Sequence, residues 1–184
     1  NIIVIMTDDQ GYGDLSCMGS KDFVTPHFDE LASSGARFSC MYANSPVCSP
    51  SRASLLTGRY PGRAGVRSIL AGHRTATGLT ANTPTLATAL KREGYRTGLV
   101  GKWHLGLHEK CRPNQNGFDY FYGFLAGCID YYSHNFYWGM SDGYTNPTPS
   151  LWENDREGHA YGTLFSVLFP EYGLDYIPES AEEK

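Results

Sequence analysis

Apolar and polar positions along this chain alternate between strand-like runs and helix-like spacing. Asn1-Ile2-Ile3-Val4-Ile5-Met6-Thr7 is a continuous apolar run, which predicts a central parallel strand covered on both faces, with Asp8-Asp9 at its carboxyl end. Thr25-Pro26 then opens a helix through Phe28, Leu31 and Ala32. Thr25 serves as N-cap, proline suits the first helical position, and Gly35 stops the helix. A second strand is expected over residues 36–43. Pro50 and Ser51 suit the opening of a helix that carries Arg52, Leu55 and Leu56. Residues 60–82, rich in Gly, Arg and Thr, predict an irregular surface excursion near that helix. Thr83-Pro84 repeats the capping device before a helix through Leu86, Ala87 and Leu90 to Gly94, and residues 95–100 read as a further strand. This alternation predicts an α/β fold with a mostly parallel sheet flanked by helices.

From Asn116 onward aromatics and glycines dominate, as in Gly117-Phe118-Asp119-Tyr120-Phe121-Tyr122-Gly123-Phe124. Most of these rings read as core or loop packing. Tyr131, Tyr132 and Trp138 offer faces on which a sugar ring can alternatively stack. Pro178 to Lys184 is polar and acidic and reads as a frayed tail after a body over residues 1–177.

Length and composition narrow the class. At 184 residues the chain suffices for one sizeable core. No stretch approaches the ~20 apolar residues of a membrane span. Asn1 to Met6 lack a basic leader and a cleavage site, so no signal peptide is read there. A formal net charge of -4 argues against a general nucleic-acid binder, so any anion site must be local. The five cysteines, Cys17, Cys40, Cys48, Cys111 and Cys128, show no zinc spacing, which leaves disulfide, free thiol or modification. Cys111 with Cys128 is the pairing to test first. A secreted, periplasmic or lysosomal location permits it.

Three stretches carry candidate chemistry. In Cys48-Ser49-Pro50-Ser51-Arg52-Ala53-Ser54-Leu55-Leu56-Thr57-Gly58-Arg59, the cysteine sits at or just before a helix start, where free N–H groups and the positive end of the dipole favour an anion. Taken alone, Cys48 reads as well as a buried structural cysteine. Asp8 and Asp9, at a strand's carboxyl end, are candidate ligands for a hard cation or simply two solvated acids. Gly101-Lys102-Trp103-His104 follows a later strand, so parallel strands put Lys102 and His104 on the side of Asp8 and Asp9. A lysine there can neutralise an oxygen of a bound anion, and a histidine can hold or shuttle a proton. Gly11-Tyr12-Gly13-Asp14 lacks the third glycine of a dinucleotide loop, and His104 with His108 lacks the glutamate of a zinc motif.

The Cys48 stretch resembles the signature of the type I sulfatase family of the alkaline phosphatase superfamily, with Asp8-Asp9 before it and Gly-Lys-Trp-His after it in the family's order. The resemblance implies that Cys48 is oxidised to formylglycine (3-oxoalanine) by a formylglycine-generating enzyme. The hydrated aldehyde has one oxygen to attack sulfur and a second hydroxyl to expel the sulfate. It further implies Ca2+, or Mg2+, held by Asp8, Asp9 and the modified Cys48, with Arg52 steadying the hydrate and Lys102 and His104 contacting sulfate and hydrate. Ser133, in Asp130-Tyr131-Tyr132-Ser133-His134, matches a further substrate-binding serine in a stretch similar to sulfatases acting on N-acetylgalactosamine 4-sulfate. Leu151-Trp152-Glu153-Asn154 also looks like a family segment. The implied substrate is a sulfated carbohydrate or aryl sulfate, with neither nucleic acid nor a membrane span involved.

Family members carry a further Asp-Asn metal pair, a substrate lysine and a leaving-group histidine in a second half. Asn154-Asp155 has the reverse order, and nothing strand-like is read before it. The expectation is therefore the N-terminal part of a sulfatase catalytic domain that alone binds metal weakly and turns over poorly. Two other functions share these features: a phosphomonoester or phosphonate hydrolase on the same scaffold, and a non-catalytic module recognising sulfated glycans.

Overall fold

The computed structural model describes residues 1–136, 148–158, 160 and 162–182. Trp138 and the last two residues of the expected tail lie outside them. The chain divides into two compact units, Asn1–Ala43 and Asn44–Lys184.

In the first unit, helix α1 (Pro26–Ser34) forms where its capping signals lie, with proline in its first turn and the Gly35 N–H bonded to the Leu31 carbonyl at 3.0 Å. The Thr25 hydroxyl does not cap the helix backbone. It lies 2.8 Å from Ser16 Oγ and donates to Asp29 Oδ1 at 3.2 Å. Asp29 also accepts from Ser16 Oγ at 2.6 Å and from the Cys17 N–H at 2.8 Å, so a polar knot fastens the preceding loop to α1. The expected strands over residues 1–7 and 36–43 are not formed. Ile5 is 72% exposed and Tyr42 83% exposed, and no residue of this unit is buried. A run of β-branched residues favours a strand, but ladder bonds from a neighbour make one.

The second unit is built on a four-stranded sheet. Its strands are β1 (Gly98–Lys102), β2 (Tyr120–Phe124), β5 (Leu151–Glu153) and β6 (Arg156–Glu157), in the order β1-β2-β5-β6. A separate short ladder joins β3 (Asn135–Phe136) to β4 (Thr148–Pro149). β1 and β2 are parallel, with Lys102 level with Phe124. The sheet is nevertheless mixed where a mostly parallel one was expected, because β5 runs back along β2 and turns at Asn154-Asp155 into β6. A strand does precede that pair. Asn154, at φ 52°, spends its side-chain oxygen on the Phe121 N–H and on Asn114 Nδ2, both at 3.0 Å.

One face of the sheet lies on a core of Leu79, Trp103, Leu105, Phe121 and Leu125, all at most 1% exposed. The other is covered by α4 (Phe165–Glu182), which continues into the residues expected as a tail. Alternate residues of β2 present their rings to it: Tyr120 stacks on Tyr176, Tyr122 on Tyr172 and Phe124 on Phe169, at centroid distances of 5.0, 3.5 and 6.0 Å. Strand period two thus meets the three- and four-residue spacing of a helix face. β1 and β2 approach so closely that a Cβ on Gly123 would lie 1.9 Å from the Gly101 carbonyl oxygen.

Helix α3 (Leu86–Arg92) is capped two residues later than the Thr83-Pro84 signal suggests. Thr85 accepts from the Thr88 N–H at 3.1 Å, Thr88 Oγ1 accepts from the Thr85 N–H at 2.8 Å, and the Thr85 hydroxyl donates to the Asn116 carbonyl at 2.7 Å. Among the described residues no helix is long and apolar enough to cross a membrane.

Candidate functional site

Helix α2 (Cys48–Thr57) starts after Val47, which is extended at φ -128° and ψ 156°, and ends at Gly58, which is left-handed at φ 63°. Cys48 is therefore the first helical residue. It is half-buried, among the N–H groups that an α-helix leaves unbonded at its start. Behind it the helix is packed tightly: Ser49 and Ala53 are fully buried and Arg52 is 9% exposed.

Hydrogen bonds tie α2 to the carboxyl end of β1 and to the chain just beyond it. Arg52 Nη1 donates to the Lys102 carbonyl at 2.7 Å. Ser49 Oγ accepts the Leu70 N–H at 3.1 Å, and the Leu70 carbonyl in turn lies 3.0 Å from His104 Nε2. A carbonyl only accepts, so Nε2 carries a hydrogen and the lone pair of the neutral ring is on Nδ1. His104 is 3% exposed and held at φ 52°, a left-handed conformation unusual for a residue with a Cβ. The chain beyond β1 stays beside the chain beyond β2, with the Trp103 N–H on the Phe124 carbonyl at 2.9 Å and the His104 N–H on the Leu125 carbonyl at 3.2 Å.

The structure thus brings the α2 start, Arg52, Lys102 and His104 together. It adds Cys128, which the sequence offered only as a disulfide partner. Burial pushes that thiol's pKa up, the nearby Lys102 ammonium pulls it down, and the Cys48 thiol adds to the rise, so Cys128 shares their neighbourhood. Ser49, Leu70, Gly127 and Cys128 were missed, although reading Tyr120–Phe124 as a strand would have placed Gly127 and Cys128 at its carboxyl end. All five cysteines are free. The Cys111–Cys128 pairing is not formed, because Cys111 is 2% exposed with its sulfur 3.4 Å from the Gly78 N–H, packed beneath residues 76–79.

Ser133 lies in a turn organised by Asp130, whose Oδ1 accepts the Ser133 N–H at 2.7 Å and the Tyr132 N–H at 3.1 Å. The Ser133 bonds, and then Tyr132, hold the Asp130 carboxyl below its ordinary range. Tyr131 stacks on Phe165 at 4.4 Å, which occupies one face of that ring, whereas Tyr132 is 57% exposed.

Asp8 and Asp9 belong to the first unit, where both are exposed and Asp9 has φ 55°. Two carboxylates supply at most about four oxygens, short of the roughly 6–8 that Ca2+ takes. Among the described residues no group of three or more His, Cys, Asp or Glu side chains is arranged to hold a metal. The residues present do not fit a complete cation site.

Comparison with known proteins identifies the family. The family model described as Sulfatase matches residues 1–160. Arylsulfatase H of Canis lupus familiaris is 46% identical over 141 residues, covering 70% of this chain and 25% of that protein. Steryl-sulfatase of Homo sapiens is 45% identical over 134 residues, covering 67% and 23% respectively. The chain spans about a quarter of the length of these curated relatives. Among solved structures, that of Ps i-CgsB in complex with k-i-k-neocarrahexaose is 33% identical with a TM-score of 0.82, covering 96% of this chain and 41% of that one. A protein solved with its substrate D-Glucosamine-2-N, 6-O-disulfate is 28% identical with a TM-score of 0.72, covering 97% and 31%.

Proposed function

The chain belongs to the sulfatase family, and from that premise we propose that residues 1–177 are the N-terminal part of a catalytic domain that hydrolyses sulfate esters of sugars. The observation that carries the reading is the cross-tie of the Cys48 helix to the Lys102–His104 corner through Arg52 and Leu70. Cys48 lies half-buried at the helix start, and once converted to formylglycine by its generating enzyme it supplies a hydrated aldehyde oxygen as nucleophile.

The chain's own groups do the rest of the work assigned to these residues. The free N–H groups at the start of α2 favour an anionic ester beside Cys48. Lys102 neutralises charge on the sulfuryl oxygens, and Arg52 adds positive charge while holding α2 to β1. His104, with hydrogen on Nε2, keeps a lone pair on Nδ1 to take a proton from a hydroxyl. The sulfated-sugar class is supported by the disulfated glucosamine named as the substrate of one solved relative. A secreted, periplasmic or lysosomal address belongs to the same proposal.

Mass spectrometry of the peptide containing Cys48 tests the reading, since an aldehyde there is expected and serves no binding module. Cys48→Ala is expected to abolish aryl sulfate turnover and leave the fold intact. Retained turnover, or faster turnover of aryl phosphate than of aryl sulfate by the parent protein, overturns it.

A further inference from the structure

His104 is fixed on two sides by groups that the family motif does not contain. On one side the Leu70 carbonyl lies 3.0 Å from Nε2, and Leu70 is itself pinned by Ser49 of the Cys48 helix. On the other lies Gly127, just beyond the carboxyl end of β2. A Cβ built there would stand 2.6 Å from His104 Cε1, 2.7 Å from Nε2 and 3.1 Å from Nδ1. The first two separations are closer than real Cβ atoms come to a neighbour, so the imidazole occupies the space that any side chain at 127 would need. Gly127 is not among the glycines with positive φ, so alanine suits its backbone and only the collision stands against it.

We propose that Gly127 and the Leu70 carbonyl are positioning elements that hold His104 as a single tautomer, hydrogen on Nε2, in one ring orientation. The inference rests on the hydrolase reading for its catalytic consequence but not for its geometry. Neither group touches the ester; each acts through His104. An added methyl at 127 must push the ring off the Leu70 carbonyl, freeing the proton to move to Nδ1 and taking the lone pair from the nitrogen that uses it.

Long-range nitrogen–proton NMR on the full chain labelled at histidine reads the tautomer directly. The expected result is a protonated Nε2 and an unprotonated Nδ1 at His104 in the parent protein, and a mixed pattern in Gly127→Ala. With aryl sulfate, Gly127→Ala is expected to lose about tenfold to a hundredfold in kcat with KM changed much less. Gly158→Ala is the control, because no described atom lies within 4 Å of a Cβ there. An Nδ1–H tautomer in the parent protein overturns the proposal, as does a Gly127→Ala protein with unchanged imidazole signals. If Gly127→Ala does not fold, the parent tautomer alone decides. A complete enzyme that carries formylglycine yet cleaves no sulfate ester sinks the hydrolase reading while leaving the NMR result to judge the positioning.

Discussion

Removing the Arg52 guanidinium tests how much its charged bond to the Lys102 carbonyl contributes to holding α2 against β1. Arg52 Nη1 donates to the Lys102 carbonyl at 2.7 Å from a residue only 9% exposed, so Arg52→Ala removes a charge-assisted bond at the strand end. Hydrogen bonds from charged donors contribute about 1.5–3 kcal/mol, and the lost packing of the arginine stem adds to this. A destabilisation of about 2–3 kcal/mol is expected. With a urea dependence of roughly 1–3 kcal/mol per molar, the unfolding midpoint falls by about 0.7–3 M. Intrinsic tryptophan fluorescence, to which the buried Trp103 directly after Lys102 contributes, follows the unfolding in a urea titration. Arg52→Lys keeps a charge and a donor but not the fork, and is expected to cost about half as much. An Arg52→Ala midpoint matching the parent, or a lysine variant as damaged as the alanine one, refutes the reasoning.

Two further outcomes follow from local bonding. Thr85→Ala loses the α3 cap and the bond to the Asn116 carbonyl, and is expected to cost about 2 kcal/mol; Thr85→Ser keeps both bonds and should stay within about 1 kcal/mol of the parent in thermal melts. Burial works to raise the Asp119 pKa, but Lys91 and Thr97 hold it below its ordinary value. A depressed folded-state pKa gives stability that is fully present above the unfolded pKa, near 4, and is lost as pH falls through the folded value. The advantage of the parent over Asp119→Asn in urea titrations should therefore be full at neutral pH and vanish on acidification below about pH 4.

What could be read from the sequence was what the chain decides locally. The Pro26 start and the Gly35 stop of α1 need only their own neighbours, and the helix appears between them. The Cys48 helix likewise starts where its proline and serines place it. Strands need partners: residues 1–7 look more strand-like than Tyr120–Phe124, yet only the latter has a ladder. The four aromatics and the glycine in β2 read as packing because their bonding partner, β1, ends 18 residues earlier in the chain, at Lys102 before Tyr120. At the site, Cys48, Arg52, Lys102 and His104 were legible through residue type and spacing. Leu70 was not, because its main chain makes its contacts and one residue letter says nothing of where a carbonyl points.

That last fact has a bearing on divergence. An apolar residue of another shape at position 70 would leave both tethers intact, because neither uses the side chain. Adding or dropping a single residue in this loop would slide a different peptide unit into the gap between serine and imidazole. Residue type at 70 thus answers only to packing against the core, while loop length answers to the tethers.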